Sequence, residues 1–232
     1  MVDKDLKYKY DKGAKSYDKQ REQIVPNLNE MYAIVTEIAN SDVIVPKILD
    51  LGADTGLLTN YMLKKYPQAY FTLLDISDEM LNIARERFKG NPKFNYINGD
   101  YIEYNFTEKF DIVISSLSIH HHKDSSKRDI YSKVYENLND NGVFLNLDKI
   151  HAPSSENEHI YQLNWLEKIE TGSLPHNEKE IIIDRMKMDK PATLENNIKW
   201  LQNCGFTSVD VFYKYYNFCI LYSKKWVNFK SY

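Results

Sequence analysis

The segment Ile48–Gly56, with the sequence ILDLGADTG, constrains the fold more than any other part of the chain. An apolar run that ends in a carboxylate is typical of a buried strand, and the small residues from Gly52 onward predict a turn. The apolar residues after Gly56 then recur at helical spacing. A strand, a glycine turn and a helix in this order favour an open α/β sheet, in which ligands bind at the carboxyl ends of the strands.

The rest of the chain alternates between strand-like and helix-like segments. Seven segments have the length and composition of strands: 45–51, 70–75, 94–97, 110–115, 143–147, 208–213 and 218–222. Helical patterns between the earlier strands favour a parallel sheet covered by helices on both faces, and the last two strands should pair as a hairpin. The predicted fold is a doubly wound, Rossmann-like α/β fold, a seven-stranded mixed sheet with a C-terminal antiparallel hairpin.

We interpret residues 1–232 as a single domain. Two segments of this domain do not follow the alternation of strands and helices. Residues 151–190 are polar and mostly helical in pattern, with a loop at 172–175, so we interpret them as an insertion. Residues 1–40 start with a polar, tyrosine-containing stretch and continue into a helix after Pro26. We expect residues 1–40 to act as a lid, and both segments to be mobile until ligands bind.

Composition and charge narrow the possible partners. The net charge of −3 gives no support to nucleic-acid binding by general phosphate neutralisation, although it leaves a local basic patch open. Cys204 and Cys219 are too few for a disulfide framework. The N-terminus is too polar for a signal peptide, and no apolar stretch approaches the ~20 residues of a membrane span. We therefore expect a cytoplasmic protein without a membrane span, either a monomer or a homodimer.

Two carboxylates follow the second and third predicted strands in positions that suit a nucleoside. Asp75 ends the second strand, where an acid can accept hydrogen bonds from both ribose hydroxyls. Asp100 follows the third strand, where it can accept one from an adenine amino group. Gly52 and Gly56 allow a ligand to approach the backbone closely, and the following helix N-terminus favours an anionic group. Together these features favour cofactor binding.

These motifs resemble those of the class I S-adenosylmethionine-dependent methyltransferases. The resemblance is firm over residues 45–150 and rests on residues 50–56, Asp75, 77–81, Gly99–Asp100, 110–113 and 140–144. It implies that the cofactor is S-adenosyl-L-methionine, that Asp75 holds the ribose, and that Met80 and Tyr101 flank the adenine. The residues that it assigns to the cofactor site are Asp50, Gly52, Ala53, Asp54, Gly56, Asp75, Ile76, Met80, Asp100, Tyr101 and Ser116.

The N-terminal segment and the glycine loop carry finer information. Residues 10–18 resemble the lid of many small-molecule methyltransferases, and residues 17–26 resemble a subgroup related to the carboxymethyl-uridine tRNA pathway. Asp54 stands where the family usually has glycine, and we expect its carboxylate to meet the cofactor ammonium or to face solvent. The loop also disfavours a nicotinamide enzyme, whose fingerprint needs small residues where Asp54 and Leu57 stand.

Three adjacent histidines, 120–122, follow the fourth strand, and the resemblance places this loop near the transferable methyl group. A histidine can take a proton from an acceptor near neutral pH, so His120 and His121 are the catalytic candidates. We do not expect all three side chains to point inward. No metal site is predicted, because adjacent histidines lack the usual ligand spacing and the sequence identifies no acidic partner for them. Asp148 and Lys149 are candidates for the acceptor pocket.

The expected function is methyl transfer from S-adenosyl-L-methionine to oxygen or nitrogen of a small molecule. Because the cofactor brings the reactivity, the protein mainly has to align the acceptor with the methyl carbon and sulfur. Two alternatives stay open: an enzyme of tRNA modification or cofactor remodelling, and a cofactor-binding protein without activity. The insertion carries no recognisable motif, and its candidate acceptor contacts are Glu156, His159, Tyr161, Trp165 and Arg185.

Overall fold

Seven strands form one mixed sheet at the centre of the protein. The computed structural model describes residues 17–226 together with Tyr8, Asp11 and Ala14. The strands are β1 Lys47–Leu51, β2 Tyr70–Asp75, β3 Phe94–Asn98, β4 Phe110–Ser116, β5 Leu138–Lys149, β6 Ser208–Tyr215 and β7 Phe218–Lys224. Their order in the sheet is β3-β2-β1-β4-β5-β7-β6.

Helices connect and cover these strands. They are α1 Tyr17–Ile24, α2 Leu28–Ile38, α3 Leu57–Lys65, α4 Asp78–Arg87, α5 Asp124–Asn137, α6 Ser155–Thr171, α7 His176–Met186 and α8 Leu194–Asn203. A 3-10 turn, Ile119–His121, follows β4. Within the described part of the chain, no helix has both the length and the apolar character that crossing a membrane requires.

The sheet has the predicted mixed topology. Strands β1 to β5 pair in parallel, whereas β7 pairs antiparallel with both β5 and β6. Adjacent side chains of β1 point to opposite faces, so that Ile48 packs in one core cluster with Met62 while Leu49 packs in the other with Tyr131. Burial of both faces explains the continuous apolar runs of the central strands. The predicted Rossmann-like fold with its closing hairpin is confirmed.

Two strands start at other residues than predicted. Strand β1 begins at Lys47, not at residue 45, after a proline that has no N–H to give to a ladder. Strand β5 begins at Leu138, five residues before the predicted start, and includes Asp140–Gly142, a sequence typical of a turn. The pairing of β4 with β5 shifts register between Phe110 and Ile112, and Asn141 has a φ of 62°. The turn sequence therefore forms an irregularity within the strand, which locally breaks the ladder.

The insertion packs against the N-terminal helix above the carboxyl edge of the sheet. Helices α6 and α7 occupy most of residues 151–190, with the predicted loop between them. The indole of Trp165 donates a hydrogen bond of 2.9 Å to the carbonyl of Ile24. Gln20 on α1 donates to Glu178 on α7 at 2.8 Å. Both segments therefore lie together over the strand ends, where ligands bind in open α/β sheets.

A buried carboxylic acid ends β1 beneath the glycine loop. Asp50 is 2% exposed and accepts a hydrogen bond of 2.6 Å from the Thr59 hydroxyl on α3. Its second oxygen has no hydrogen-bond partner among the described residues. Burial raises the pKa of Asp50 to about 7, because the ionised form loses more hydration than Thr59 restores.

The pKa of Asp50 predicts the pH dependence of an amide variant. Between about pH 4 and pH 7 the folded chain keeps Asp50 protonated while the unfolded chain ionises it, so this group makes the protein less stable as pH rises. Asp50→Asn removes that loss and keeps an acceptor for Thr59. Its free energy of unfolding, relative to the original protein, should increase by at most about 1.4 kcal/mol per pH unit across this window. Urea unfolding of both proteins at pH 4.5, 5.5 and 6.5 measures this difference in stability. A difference that stays the same at all three pH values would contradict the raised pKa of Asp50.

Candidate cofactor site and the adjoining basic cavity

The loop after β1 needs glycine at two positions. Gly52 has a φ of 69°, and a Cβ there would lie 2.0 Å from the hydroxyl oxygen of Ser118. Gly56 has a φ of 78°, and a Cβ there would lie 2.7 Å from the Phe88 ring. The Gly52 N–H donates to the carbonyl of Leu74 on β2 at 2.9 Å, which fixes the loop against the neighbouring strand. The glycine motif therefore serves close packing as well as the turn.

A cavity of about 470 Å³, which we call the cofactor cavity, opens beside this loop. Six of the residues that the sequence assigns to cofactor binding line it: Gly52, Asp54, Asp75, Ile76, Asp100 and Tyr101. The loop after β4 forms the opposite wall, through Leu117, Ser118, His121 and His122, and Gly99 completes the lining. Segments that follow β1, β2, β3 and β4 therefore meet at the carboxyl edge, as the topology requires.

The other five predicted cofactor residues lie outside this lining. Asp50 and Ala53 are buried beneath the loop, and Gly56 precedes α3. Met80 is fully buried and packs with Ala14 and Tyr17. Ser116 contacts Arg21. Their assignment to the cofactor therefore stays a prediction.

Asp75 is held in place by two backbone N–H groups. One carboxylate oxygen accepts from Ser77 and the other from Asp54, each at 2.8 Å. Burial, followed by the nearby charge of Asp54, raises the pKa of Asp75 to about 7 despite these hydrogen bonds. Ser77 also caps α4, since its hydroxyl accepts from the Met80 N–H at 3.1 Å. The carboxyl group is thus fixed at the cavity wall and retains lone pairs for a ligand.

Asp54 pairs with a buried arginine rather than facing solvent. Its carboxylate contacts the Arg21 guanidinium and accepts a hydrogen bond of 2.9 Å from the Tyr17 hydroxyl. The same guanidinium donates to the carbonyl oxygen of Ser116 at 2.7 Å and to its hydroxyl at 2.9 Å. Arg21 is 3% exposed, so its charge is balanced mainly inside the protein. This cluster joins α1 to the glycine loop and to the end of β4.

Other N-terminal residues also bind to the cofactor loop and its neighbours. Asp18 accepts a hydrogen bond of 2.5 Å from Thr55 and contacts Arg87. Asp11 accepts one of 2.5 Å from Ser77. These contacts place the described N-terminal residues over the cofactor loop, as a lid requires. Tyr10, which the sequence also assigns to the lid, lies outside the described residues.

A second cavity of about 510 Å³, which we call the basic cavity, lies on the far side of His121 and Leu117, which line both cavities. Arg21, Lys149 and Arg185 give it three cationic side chains, against one carboxylate, Asp189. Its apolar walls include Ile24, Val25, Trp165, Met186 and Phe218. The predicted contacts Lys149, Trp165 and Arg185 therefore meet in this cavity. Glu156, His159 and Tyr161 are absent from its lining.

His120 lies between two carboxylates. Its Nδ1 is 2.5 Å from Asp148 Oδ1, and its Nε2 is 3.4 Å from Asp189 Oδ1. Burial opposes the charged imidazolium, but Asp189 and Asp148 outweigh it and raise the pKa of His120. His121 Nδ1 lies 3.0 Å from the same Asp189 oxygen, and burial, with the neighbouring charge of His120, lowers the pKa of His121 to about 4. The two catalytic candidates are therefore in contact with one acid.

The three adjacent histidines all contact a cavity, contrary to expectation. The 3-10 turn presents His120 to the basic cavity, His122 to the cofactor cavity and His121 to both. The Tyr101 hydroxyl lies 2.7 Å from His122 Nε2 and 2.9 Å from the Ser118 hydroxyl. In a strand, adjacent histidine rings would point to opposite faces of the sheet. The 3-10 turn instead directs the three rings toward the region between the two cavities.

The sequence analysis missed the roles of Arg21, Ser118, His122 and Asp189. Asp189 belongs to the insertion and reaches the histidines only through the fold, held there by the hydrogen bond from the Lys190 N–H to the His120 carbonyl at 2.9 Å. Arg21 lies in an amphipathic helix, where a basic residue is usually solvated. No local spacing marks these positions.

The cofactor cavity fits S-adenosyl-L-methionine chemically. Asp75 and Asp100 offer acceptors for the ribose hydroxyls and the adenine amino group, and Ile76 and Leu117 offer apolar contacts. Asp54 places a carboxylate beside the end of the cavity that would hold a cationic sulfonium or ammonium.

The comparison with known families decides the identity of this site. Residues 48–142 match the family described as "Methyltransferase domain". The chain therefore contains a domain that matches the methyltransferase family, and its motifs resemble those of class I S-adenosylmethionine-dependent enzymes. S-adenosyl-L-methionine is its cofactor, as the sequence predicted.

Individual relatives add detail. The carboxy-S-adenosyl-L-methionine synthase of Helicobacter hepaticus is 25% identical over 229 residues, which cover 91% of this chain and 92% of that protein. A malonyl-[acyl-carrier protein] O-methyltransferase from Acetivibrio thermocellus is 30% identical over 148 residues, covering 62% of this chain and 49% of that protein. Human N-acetylserotonin methyltransferase, solved with the cofactor, aligns with a TM-score of 0.61 at 16% identity over 90% of this chain and 55% of its own. At that identity the structural likeness shows the fold alone.

The first site prediction concerns Asp75. Asp75→Ala removes an acceptor for two hydroxyls, so the affinity for S-adenosylhomocysteine in calorimetry should fall at least about tenfold. Because ribose binding requires the carboxylate and its pKa is raised to about 7, affinity of the original protein should rise between pH 6 and pH 8. Asp75→Asn should lose most of that pH dependence. Glu86→Ala, at an exposed helix position, serves as the control, and unchanged affinity in folded Asp75→Ala would contradict the role.

The second concerns the buried pair of Arg21 and Asp54. Asp54→Asn leaves the guanidinium without its counter-charge, so the free energy of unfolding should fall by about 3 kcal/mol. The double variant with Arg21→Met should lose less than the sum of the two single variants, because neither charge then stays unpaired. Asp78→Asn removes an exposed ion pair with Arg85 and should cost less than about 1 kcal/mol. Additive losses in urea unfolding would show that the two side chains are uncoupled.

Proposed function

We propose that this enzyme reacts S-adenosyl-L-methionine with a small organic acid held in the basic cavity, and that the product is carboxy-S-adenosyl-L-methionine. The observation that carries the proposal is the group of cations Arg21, Lys149 and Arg185, which line a cavity that shares the lining residues His121 and Leu117 with the cofactor cavity. Such a group favours a carboxylate-bearing co-substrate over a neutral one.

The walls of the basic cavity support a small co-substrate. Apart from the three cations, apolar side chains form most of its lining. Lys149 and Arg185 can orient an acid group, while Trp165 and Phe218 exclude water from it. In the proposed reaction the bond between the acid's carboxyl group and its carbon skeleton would break, and the carboxyl group would replace one hydrogen of the sulfonium methyl group. That hydrogen would pass as a proton to the carbon that the carboxyl group leaves, so the exchange needs no oxidant or reductant, and the protein holds the two molecules next to each other.

The relatives support the choice of product. Carboxy-S-adenosyl-L-methionine synthases from Helicobacter hepaticus and Nautilia profundicola match over 91% and 74% of this chain. Both are 25% identical to it. The resemblance of residues 17–26 to a subgroup of the carboxymethyl-uridine pathway agrees with these names. This proposal therefore takes the cofactor-remodelling alternative in preference to simple methyl transfer.

Methyl transfer to oxygen or nitrogen of the bound acid is the second candidate. Malonyl-[acyl-carrier protein] O-methyltransferase is the name of a relative that is 30% identical over 62% of this chain. A carboxylate acceptor is already ionised at neutral pH and needs no base, which suits a cavity where both nitrogens of His120 face carboxylates. Both candidate reactions use a small organic acid as co-substrate. In the first the cofactor gains a carbon atom, and in the second the acid gains one.

Mass spectrometry of the products distinguishes carboxylation of the cofactor from methylation of the acid. The purified enzyme is incubated with S-adenosyl-L-methionine and pools of small organic acids. A cofactor heavier by the mass of CO2, together with an acid lighter by the same mass, supports the proposal, whereas a methylated acid with S-adenosylhomocysteine supports the second candidate. Binding of S-adenosylhomocysteine without any product would support the silent binding protein instead.

A variant pair tests the cationic cavity. Arg185→Gln should raise the KM for the acid by about 10–100-fold, because a charge-assisted hydrogen bond contributes about 1.5–3 kcal/mol. Lys214→Gln, whose ammonium contacts the Tyr161 hydroxyl in an exposed position, is the matched control and should leave KM unchanged. Equal KM values in the Arg185 variant and the original enzyme would refute the assignment of this cavity to the acid.

A further inference from the structure

Three side chains converge at the boundary between the two cavities without a role in the proposed reaction. His120 and His121 come from the 3-10 turn, and Asp189 comes from the chain just after α7. The ligating atoms of all three lie within 4.8 Å of one another. The Lys190 N–H binds the His120 carbonyl at 2.9 Å, which anchors the insertion directly beside the histidines. The group is therefore built by a fixed backbone contact.

The distances suit a common ligand for all three. Asp189 Oδ1 lies 3.0 Å from His121 Nδ1 and 3.4 Å from His120 Nε2. A tetrahedral ion with bonds of about 2.0–2.2 Å holds its ligand atoms about 3.4 Å apart, so small side-chain rotations would complete the set. Two imidazole nitrogens and one carboxylate oxygen match transition metals, whereas magnesium and calcium prefer oxygen alone.

A second layer of contacts orients two of the three ligands. Asp148 Oδ1 lies 2.5 Å from His120 Nδ1, which directs the opposite nitrogen toward Asp189. The Lys149 ammonium holds the other oxygen of Asp189 at 2.6 Å, which leaves Oδ1 toward the histidines. A carboxylate behind a ligating histidine is the arrangement that metal sites use to fix the ring and its tautomer.

We propose that His120, His121 and Asp189 bind one divalent transition-metal ion, with zinc as the closest match. Three protein ligands leave at least one coordination position open, and the basic cavity, which all three line, is where it would face. An oxygen of a bound acid can occupy that position, so the ion would fix the co-substrate next to the cofactor cavity. No metal site was predicted from the sequence, because no acidic partner for the histidines could be identified there, and Asp189 is that partner. The inference does not depend on the proposed reaction, because metal binding can be measured without turnover.

Cobalt serves as the spectroscopic probe. The untagged protein is treated with chelator and titrated with Co²⁺. One equivalent should produce visible d–d bands of a nitrogen- and oxygen-ligated site, and Zn²⁺ should displace it and abolish the bands. The absence of a stoichiometric, zinc-competitive band would overturn the proposal whatever the enzyme's activity.

Variants locate the bound ion. Asp189→Asn and His121→Ala should each weaken Co²⁺ binding at least about tenfold, and Asp148→Asn should weaken it about 10–100-fold through the orientation of His120. His151→Ala is the control, because His151 also lies near a carboxylate, at 3.6 Å from Glu158, outside the cluster. Retained S-adenosylhomocysteine binding shows that each variant is folded. Should Asp189→Asn fail to fold, Asp148→Asn and His121→Ala carry the test. Undiminished Co²⁺ binding in the folded variants, or its loss in His151→Ala, would refute the site.

Discussion

The buried ion pair between Arg21 and Asp54 is the interaction on which the site depends. A guanidinium that is 3% exposed loses most of its hydration, so it is tolerable only where fixed partners replace the water. Asp54, Tyr17 and Ser116 provide those partners, and they come from the glycine loop, from α1 and from the end of β4. One side chain thus connects the N-terminal segment to both strands that flank the cofactor cavity. This explains how the loop holds an acidic residue at a φ of 49°, where a glycine would be less strained.

The site is electrostatically divided into two halves. Asp54, Asp75 and Asp100 line the cofactor cavity, whose ligand carries a sulfonium, and Lys149 and Arg185 line the basic cavity. His121 stands at the boundary. A cationic cofactor and an anionic co-substrate would each be attracted to their own half and meet there. Arg21 pairs with Asp54 across this boundary and Lys149 pairs with Asp189, so the protein balances part of the charge of each half with its own groups.

What the sequence predicted correctly was local. The strands, the glycine turn and the place of Asp75 follow from hydrophobic periodicity and from the order of elements, which short segments encode. The start of β5 was wrong, because its turn residues Asp140–Gly142 are absorbed by a register shift against β4 that only the sheet pairing imposes. Asp189 and Arg21 were missed for a related reason. Their environments are created by helices that are distant in sequence, and a charged residue in a helical pattern has no signature of burial.

This division between local and tertiary information also explains why the family match leaves the chemistry undecided. The matching residues, 48–142, contain the glycine loop, Asp75, Asp100 and the histidines, which are the parts that a shared cofactor demands. Lys149, Trp165, Arg185 and Asp189 all lie beyond residue 142, in the end of β5 and the insertion. The insertion leaves the sheet at the carboxyl end of β5, and its side chains form part of the basic cavity. Chains that share the cofactor domain can therefore differ in reaction, and the reaction of this chain has to be argued from residues 149–189.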